Sequence, residues 1–383
     1  MTFTALPPSD LVIRRIVLRR LAIDALPFYN GHPVPPEEVS CWEFPLVTLE
    51  TDAGISGYSM GYGTSGQGHG MAQALLDVYA HLILGENPLR HEHLWHKMRR
   101  KNRHVYDLTD TCQGILDVAL WDIKGKFANL PVAMLLGQVR DAVPAYATGS
   151  RNLFTGEDVA REALARKEAG FAAYKLQLWD GPRRDIPRLR AAREAVGPDF
   201  DLMLDSAGRL SYSEALEIGR VLDEADYLWF EEPIPDRHVG QLARLAGELR
   251  TPILAAETVR LDELPNYLTH QAIDLARGDV LIKGGITGLK KAFSLCELLG
   301  FPMEIHTGGN PLLDVANLHV AASAEHCRYV EAHHGVHRFG LKNSPLELDE
   351  NHCQRVPTGP GLGVEFDWDW LENHTVGLLS KAL

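Results

Sequence analysis

Cysteine is scarce and unpatterned in this chain of 383 residues. The five present (Cys41, Cys112, Cys296, Cys327, Cys353) are scattered, odd in number and without a Cys-x-x-Cys pair. That argues against a disulfide framework or a structural zinc site and for free thiols in a reducing cytoplasm. Long apolar runs are missing as well, since none approaches the roughly 20 residues needed to span a bilayer. Residues 1–10 lack a basic stretch followed by an apolar one, so no signal peptide is expected. Positive charge is in deficit. With a formal net charge of −13, no basic stripe is available to follow a phosphate backbone, and nucleic acid is excluded as a partner. The run Lys97–Arg103 reads as solvated helix surface. Acidity of this size also means that any anionic substrate needs a local positive charge, which a bound divalent cation would supply.

What is present is the composition of a soluble globular protein, with length for two or three domains. Residues 11–23 and 45–50 read as strands, and each is followed by a Gly- or Pro-rich stretch, at 27–36 and 61–70. Helical periodicity then runs from Met71 to about Ala128 and ends at Pro131 and Gly137. From about Val143 short β-rich segments alternate with amphipathic helical ones, the mark of parallel βαβ units. The expected strands are 143–148, 173–178, 200–205, 227–231, 251–257, 274–279, 302–306 and 328–331. Eight such units in about 200 residues predict a (β/α)₈-type barrel. An open doubly wound sheet is the alternative, but Ala147–Ser150 is not the Gly-rich phosphate turn that such a sheet normally carries. The predicted organisation is an N-terminal α+β capping domain (1–140), a barrel (141–345), and a C-terminal segment (346–383) returning to the cap.

Strand after predicted strand ends in an ionisable or amide side chain: Lys175 with Gln177, Asp205, Glu231, Glu257, Asp279, His306 and Glu331. One such residue is explained by exposure or by capping of the next helix. A series over seven strands points instead to the barrel mouth, where enzymes of this architecture place their active sites. Asp205, Glu231 and Glu257 come from successive strands and would repel one another unless a hard, oxygen-seeking cation neutralised them. Single carboxylates on rigid strands favour Mg²⁺ over Ca²⁺, and no His or Cys accompanies them to suit zinc. Asp279 and His306 end neighbouring strands, so the carboxylate can orient and activate the imidazole as general base or acid. Lys175 points into the same mouth and can hold a substrate carboxylate. Glu331 can donate a hydrogen bond there only when protonated. Thr148 and Gln177 are further candidates for substrate contact. Glu232 is expected to face away from Glu231 across its strand, and Lys283 to lie outside the mouth. The His91/His93/His96 and His333/His334/His337 groups resemble metal ligands by count only, and Gly284–Gly285 is expected to serve tight packing.

These residues stand in motifs that resemble the enolase superfamily, mandelate racemase subgroup: LMLDSAG, WFEEP, LAAET, RGDVLIKGGITG, PMEIHTGG and YVEAH. The helix ALWDIKGKFANLPVAMLLG is equally similar, and the resemblance runs through nearly the whole chain. It implies that Asp205, Glu231 and Glu257 bind Mg²⁺, that His306–Asp279 is an acid/base dyad, and that Glu331 contacts the enolate side. It also implies that the stretches at 27–36 and 61–70 close over the mouth, with Tyr29, Tyr62 and His69 as candidates for substrate contact. Many subgroup members carry Lys-x-Lys on the second barrel strand, whereas this chain has Lys175-Leu176-Gln177. Gln177 cannot accept a proton at neutral pH, which disfavours racemisation by two opposed bases. A histidine that assists the leaving group in some relatives is replaced by Ser206-Ala207. The expected reaction is dehydration of a sugar acid, with lactone cycloisomerisation or racemisation as alternatives and a non-catalytic binding protein as a third class. The expected partners are a small carboxylate substrate and further copies of the chain in a homo-oligomer, with no nucleic acid and no membrane.

Overall fold

The computed structural model describes residues 11–23, 28–29, 32–33, 42–61, 67–105, 109–149, 151–308, 310–332, 339–342 and 346–383. Near the start, β1 (Ile13–Ile23) buries Ile16, Leu18 and Leu21, as a strand with one covered face does. A short pairing of β2 (Phe28–Tyr29) with β3 (His32–Pro33) precedes β4 (Trp42–Thr51), which runs antiparallel to β1. A turn through Gly54, at φ 73°, then leads into β5 (Ser56–Met60). Helices α1 (Gln67–Ala74), α2 (Ala80–Ile83), α3 (His91–Val105), α4 (Thr109–Ala128) and α5 (Val132–Leu136) follow.

The barrel strands are β6 (Ala142–Gly149), β7 (Ala173–Gln177), β8 (Asp201–Asp205), β9 (Trp229–Glu231), β10 (Ile253–Ala255), β11 (Leu275–Gly278), β12 (Met303–Ile305) and β13 (Val330–Ala332). All are parallel, in the order β12-β11-β10-β9-β8-β7-β6-β13. The seam between β12 and β13 is bridged by side chains. The Glu304 carboxylate accepts the backbone N–H groups of Arg328 and Tyr329 at 3.0 and 3.1 Å, and the Thr307 hydroxyl donates to the Glu331 carbonyl at 3.1 Å.

Among the described residues, the eight barrel strands are accompanied by seven helices. Seven strands are followed by helices, α6 (Gly156–Glu168), α7 (Pro182–Val196), α8 (Tyr212–Glu224), α9 (Val239–Glu248), α10 (Leu264–Thr269), α11 (Gly285–Leu299) and α12 (Pro311–Ala321). After β13 the described residues contain no helix before β14 (Cys353–Arg355), which pairs antiparallel with β6. The chain end is used differently. Past α13 (Trp368–Asn373), β15 (Thr375–Ala382) adds to the free side of β1, giving a cap sheet ordered β15-β1-β4-β5.

The cap is docked by specific bonds. Trp95 Nε1 donates to the Gly284 carbonyl at 2.7 Å, and the buried Asp117 carboxylate accepts both the N–H and the hydroxyl of Thr287 at 2.8 Å. A Cβ at Gly285 would lie 2.3 Å from Asp117, so the Gly284–Gly285 pair serves close packing of α4 on α11. Asn310 Nδ2 donates to the Gly61 carbonyl at 3.0 Å, tying the cap to the loop after β12. Inside the barrel, Tyr146, Ala173, Met203, Trp229, Leu254 and Tyr329 form an apolar floor. Among the described residues no helix is long and apolar enough to cross a membrane, and Cys112, Cys296, Cys327 and Cys353 are free thiols.

Candidate active site

Above the apolar floor lies a tier of buried charge. Lys175, on β7, places Nζ 3.4 Å from Asp205, 3.1 Å from Glu231 and 3.2 Å from Glu331. Arg277, in the middle of β11 and fully buried, lies 2.9 Å from Glu231, 2.9 Å from Glu331 and 4.0 Å from Glu257. It also donates to the Tyr146 hydroxyl at 2.9 Å. Burial opposes charge on both cations, but the Glu231 and Glu331 carboxylates outweigh it, so Lys175 and Arg277 are held charged. Sequence reasoning missed Arg277. Its signal was available: an arginine inside an otherwise apolar buried strand needs partners in the barrel. Glu331 faces two cations, Lys175 at 3.2 Å and Arg277 at 2.9 Å.

Above this tier a cavity of about 450 Å³ opens at the C-terminal strand ends, with Met71 and Thr111 of the cap on its wall. Lys175, Gln177, Asp205, Glu257, Asp279, His306 and Glu331 all line it. Asp279 Oδ2 is 2.7 Å from His306 Nδ1, while Asp279 Oδ1 accepts the Ile282 N–H at 2.7 Å. The imidazole is positioned from behind, because its backbone N–H donates to the Gly278 carbonyl and Asn317 Nδ2 donates to its own carbonyl. His306 Nε2 then faces Glu257 Oε1 at 3.6 Å. Burial lowers the basicity of His306, yet Glu257 and Asp279 together raise its pKa to about 9.

Glu257 lies past the end of β10, where Ala256 at φ 72° turns the chain. That turn is held by the buried Lys283, whose ammonium donates to the carbonyls of Ala256, Glu257 and Val259. Asp236 accepts the N–H groups of Ala256 and Thr258 from the other side. Lys283 stays outside the cavity wall, as the sequence suggested, and acts as a strut. Its pKa is lowered to about 8 by burial. Gln177 Oε1 and Thr148 Oγ1 are buried without a hydrogen-bond partner among the described residues; Gln177 is on the cavity wall, whereas Thr148, beside Lys175 in strand register, is not among the residues lining it.

The expectation for Glu232 fails. Its backbone has φ 40°, which breaks the alternation of the strand and brings its side chain onto the cavity wall. Burial first, then Glu257, Asp236, Asp205 and Glu231, push its pKa up to about 10. Asp314, in the first turn of α12, also lines the cavity and was not foreseen. Burial raises its pKa to about 8, and one oxygen accepts the Gly308 N–H at 3.2 Å. Of the cap candidates, His69 is exposed on α1. Tyr29 belongs to β2 with its side chain outside the described residues, and Tyr62, His333, His334 and His337 also lie outside them.

Asp205, Glu231 and Glu257 sit close enough to perturb one another. Burial raises both Glu231 and Glu257, and Asp205 and Glu231 add to this as neighbouring charges. All their donors are carboxylate oxygens, which fits a hard divalent cation. As placed, no three acidic or imidazole groups among the described residues form a ready metal cluster, because Glu231 is turned down onto Lys175 and Arg277.

Residues 35–137 match the mandelate racemase / muconate lactonizing enzyme N-terminal domain family, and residues 158–370 match the enolase C-terminal domain-like family. The chain is 33% identical to the arabinonate dehydratase of Saccharolobus solfataricus over 334 residues, covering 84% of this chain and 87% of the relative. It is 30% identical to the D-galactarolactone cycloisomerase of Agrobacterium fabrum over 345 residues, covering 85% and 89%. Its fold superposes on the D-glucarate dehydratase of Agrobacterium tumefaciens, solved with magnesium, at a TM-score of 0.85 and 27% identity, covering 97% and 100%. The chain therefore belongs to the mandelate racemase/muconate lactonizing enzyme family of the enolase superfamily.

Proposed function

We propose that the protein is a magnesium-dependent hydro-lyase that dehydrates a sugar acid to a 2-keto-3-deoxy acid. The observation that carries this reading is the 2.7 Å His306–Asp279 contact on the cavity wall, with Gln177 on the same wall. Gln177 there has no proton-accepting role at neutral pH. Lys175 is committed to three carboxylates.

Asp205, Glu231 and Glu257 would hold the magnesium ion. When bound, the ion supplies a fixed positive charge that favours the substrate carboxylate as the α-proton leaves. Lys175 balances charge at the same end of the substrate. Gln177 offers substrate an oxygen without a partner among the described residues. His306 Nε2 takes the α-proton, breaking the C–H bond. The resulting imidazolium returns that proton to the β-hydroxyl as the C–O bond breaks, so that water leaves. The enol that remains tautomerises to the 2-keto acid. Asp279 fixes the imidazole throughout by accepting from Nδ1.

A cycloisomerase uses the same single acid/base pair, and the likeness to the D-galactarolactone cycloisomerase supports that second reading. Incubating the purified protein with magnesium and a library of sugar acids, then adding semicarbazide, separates the two. A 2-keto product supports dehydration and names the substrate. Turnover of a lactone without any semicarbazide-reactive product would replace it with cycloisomerisation.

A further inference from the structure

Helix α12 is buried along its whole length, yet it carries an acid in its first turn. Asp314 is 5% exposed and lines the cavity above the charged tier. A carboxyl in that position is costly to bury without partners. One oxygen has a plain structural use, since Oδ1 accepts the Gly308 N–H at 3.2 Å and ties down the loop after His306. An asparagine would serve that contact equally well. The other oxygen, Oδ2, makes no hydrogen bond or ion pair among the described residues.

The two amides on the same wall behave otherwise. Asn310 Nδ2 donates to the Gly61 carbonyl at 3.0 Å, and its Oδ1 accepts the Leu313 N–H at 3.4 Å. Asn317 Nδ2 donates to the His306 carbonyl at 3.1 Å, and its Oδ1 accepts the Val280 N–H at 2.8 Å. Both use their polar ends on the protein, whereas Asp314 leaves one for whatever fills the cavity. Burial pushes its pKa up to about 8 against the opposing charge of His306, so near neutral pH the carboxyl holds its proton. A protonated carboxyl both donates and accepts, which matches an alcohol rather than a cation.

We propose that Asp314 is a specificity-determining residue whose free carboxyl oxygen hydrogen-bonds a substrate hydroxyl at the γ-carbon or beyond. This rests on the sugar-acid reading above. That reading gives the α-proton and the β-hydroxyl to His306, so the hydroxyl left for Asp314 lies further along the substrate. A cavity of about 450 Å³ is of the size that holds a whole small ligand, so its wall can meet that end of the molecule.

The test is steady-state kinetics of wild type, Asp314→Ala and Asp314→Asn on five- and six-carbon sugar acids, read with semicarbazide. The same acids are supplied as monodeoxy analogues, each lacking one hydroxyl from the γ-carbon onwards. Asp314→Asn still accepts the Gly308 N–H, so it keeps the loop should Asp314→Ala fail to fold. On the acid that the wild type turns over best, kcat/KM should fall about tenfold or more in Asp314→Ala, through KM, and by a smaller factor in Asp314→Asn. On one analogue both variants should match the wild type within about twofold, because the hydroxyl that Asp314 meets is gone. A loss of equal size on every analogue, or no loss on any acid, would overturn the inference. Turnover of no acid by the wild type would instead overturn the sugar-acid reading, and the inference with it.

Discussion

His306 Nδ1 and Asp279 Oδ2 lie 2.7 Å apart, and this contact determines which nitrogen can do chemistry. With Nδ1 donating to the carboxylate, Nε2 is left to face the cavity and Glu257. Asp279→Asn removes a charge that raises the imidazole pKa and substitutes an amide that can present the wrong partner. NMR titration of His306 in metal-free protein is expected to give a value near 9 in the wild type and a lower one in Asp279→Asn. Turnover of the variant is expected to fall by ~10²-fold or more. An unchanged imidazole titration would show that Asp279 does not tune this base.

Arg277 and Glu231 form the centre of the buried tier, and Arg277 is wholly inaccessible. Arg277→Met would remove a cation that lies 2.9 Å from both Glu231 and Glu331. Removing one partner of such a buried group typically costs about 3–5 kcal/mol. Urea unfolding is expected to show a loss of this size with little change in slope. A variant as stable as the wild type would mean that the tier is neutral to folding.

His319 ties three parts of the chain together. Its Nδ1 accepts the Ala133 N–H at 3.1 Å and its Nε2 faces the Leu362 carbonyl at 3.2 Å, so the ring is held neutral. Burial lowers its pKa to about 4. The unfolded chain therefore binds the proton first. The stabilisation is complete above the unfolded value of about 6.5 and is lost as pH falls towards 4. Keeping this imidazole neutral in the fold contributes at most about 3 kcal/mol. His319→Gln should flatten the stability–pH curve between those limits, as followed by chemical unfolding. A curve as steep as that of the wild type would assign the acid sensitivity elsewhere.

Gln177 presents to the cavity a buried oxygen that has no partner among the described residues. Gln177→Ala is expected to raise KM about tenfold, the effect of losing a hydrogen bond worth about 1–1.5 kcal/mol. kcat should change little. A fall in kcat with KM unchanged would instead place Gln177 in the chemical step.

Much of the barrel was legible because several parallel strands are short apolar runs ending in one chemical residue, as in Leu202–Asp205 and Trp229–Glu231. The return of the chain end to the cap was expected, but its form was not, since the alternation that predicts a βα unit does not say that β15 pairs antiparallel with β1. Asp279 and His306 were recognisable as a pair because they end neighbouring strands. Arg277 was overlooked because attention fell on strand ends, whereas its position is mid-strand and its partners come from other strands. Glu232 was assigned to the wrong face because strict alternation assumes extended backbone, and no sequence pattern announces a φ of 40° at a glutamate. Thr148 and Gln177 were named by type, but their unpartnered oxygens depend on what the neighbouring strands fail to supply.

The most direct measurement is exchange of the substrate α-proton with solvent deuterium, followed by NMR with magnesium present, in wild type and His306→Asn. The predicted result is exchange or elimination by the wild type, and loss of both by ~10²–10⁴-fold in His306→Asn, with magnesium affinity nearly unchanged. Exchange at the wild-type rate in His306→Asn would contradict the assignment of His306 and move the base elsewhere, with Lys175 the next residue to test.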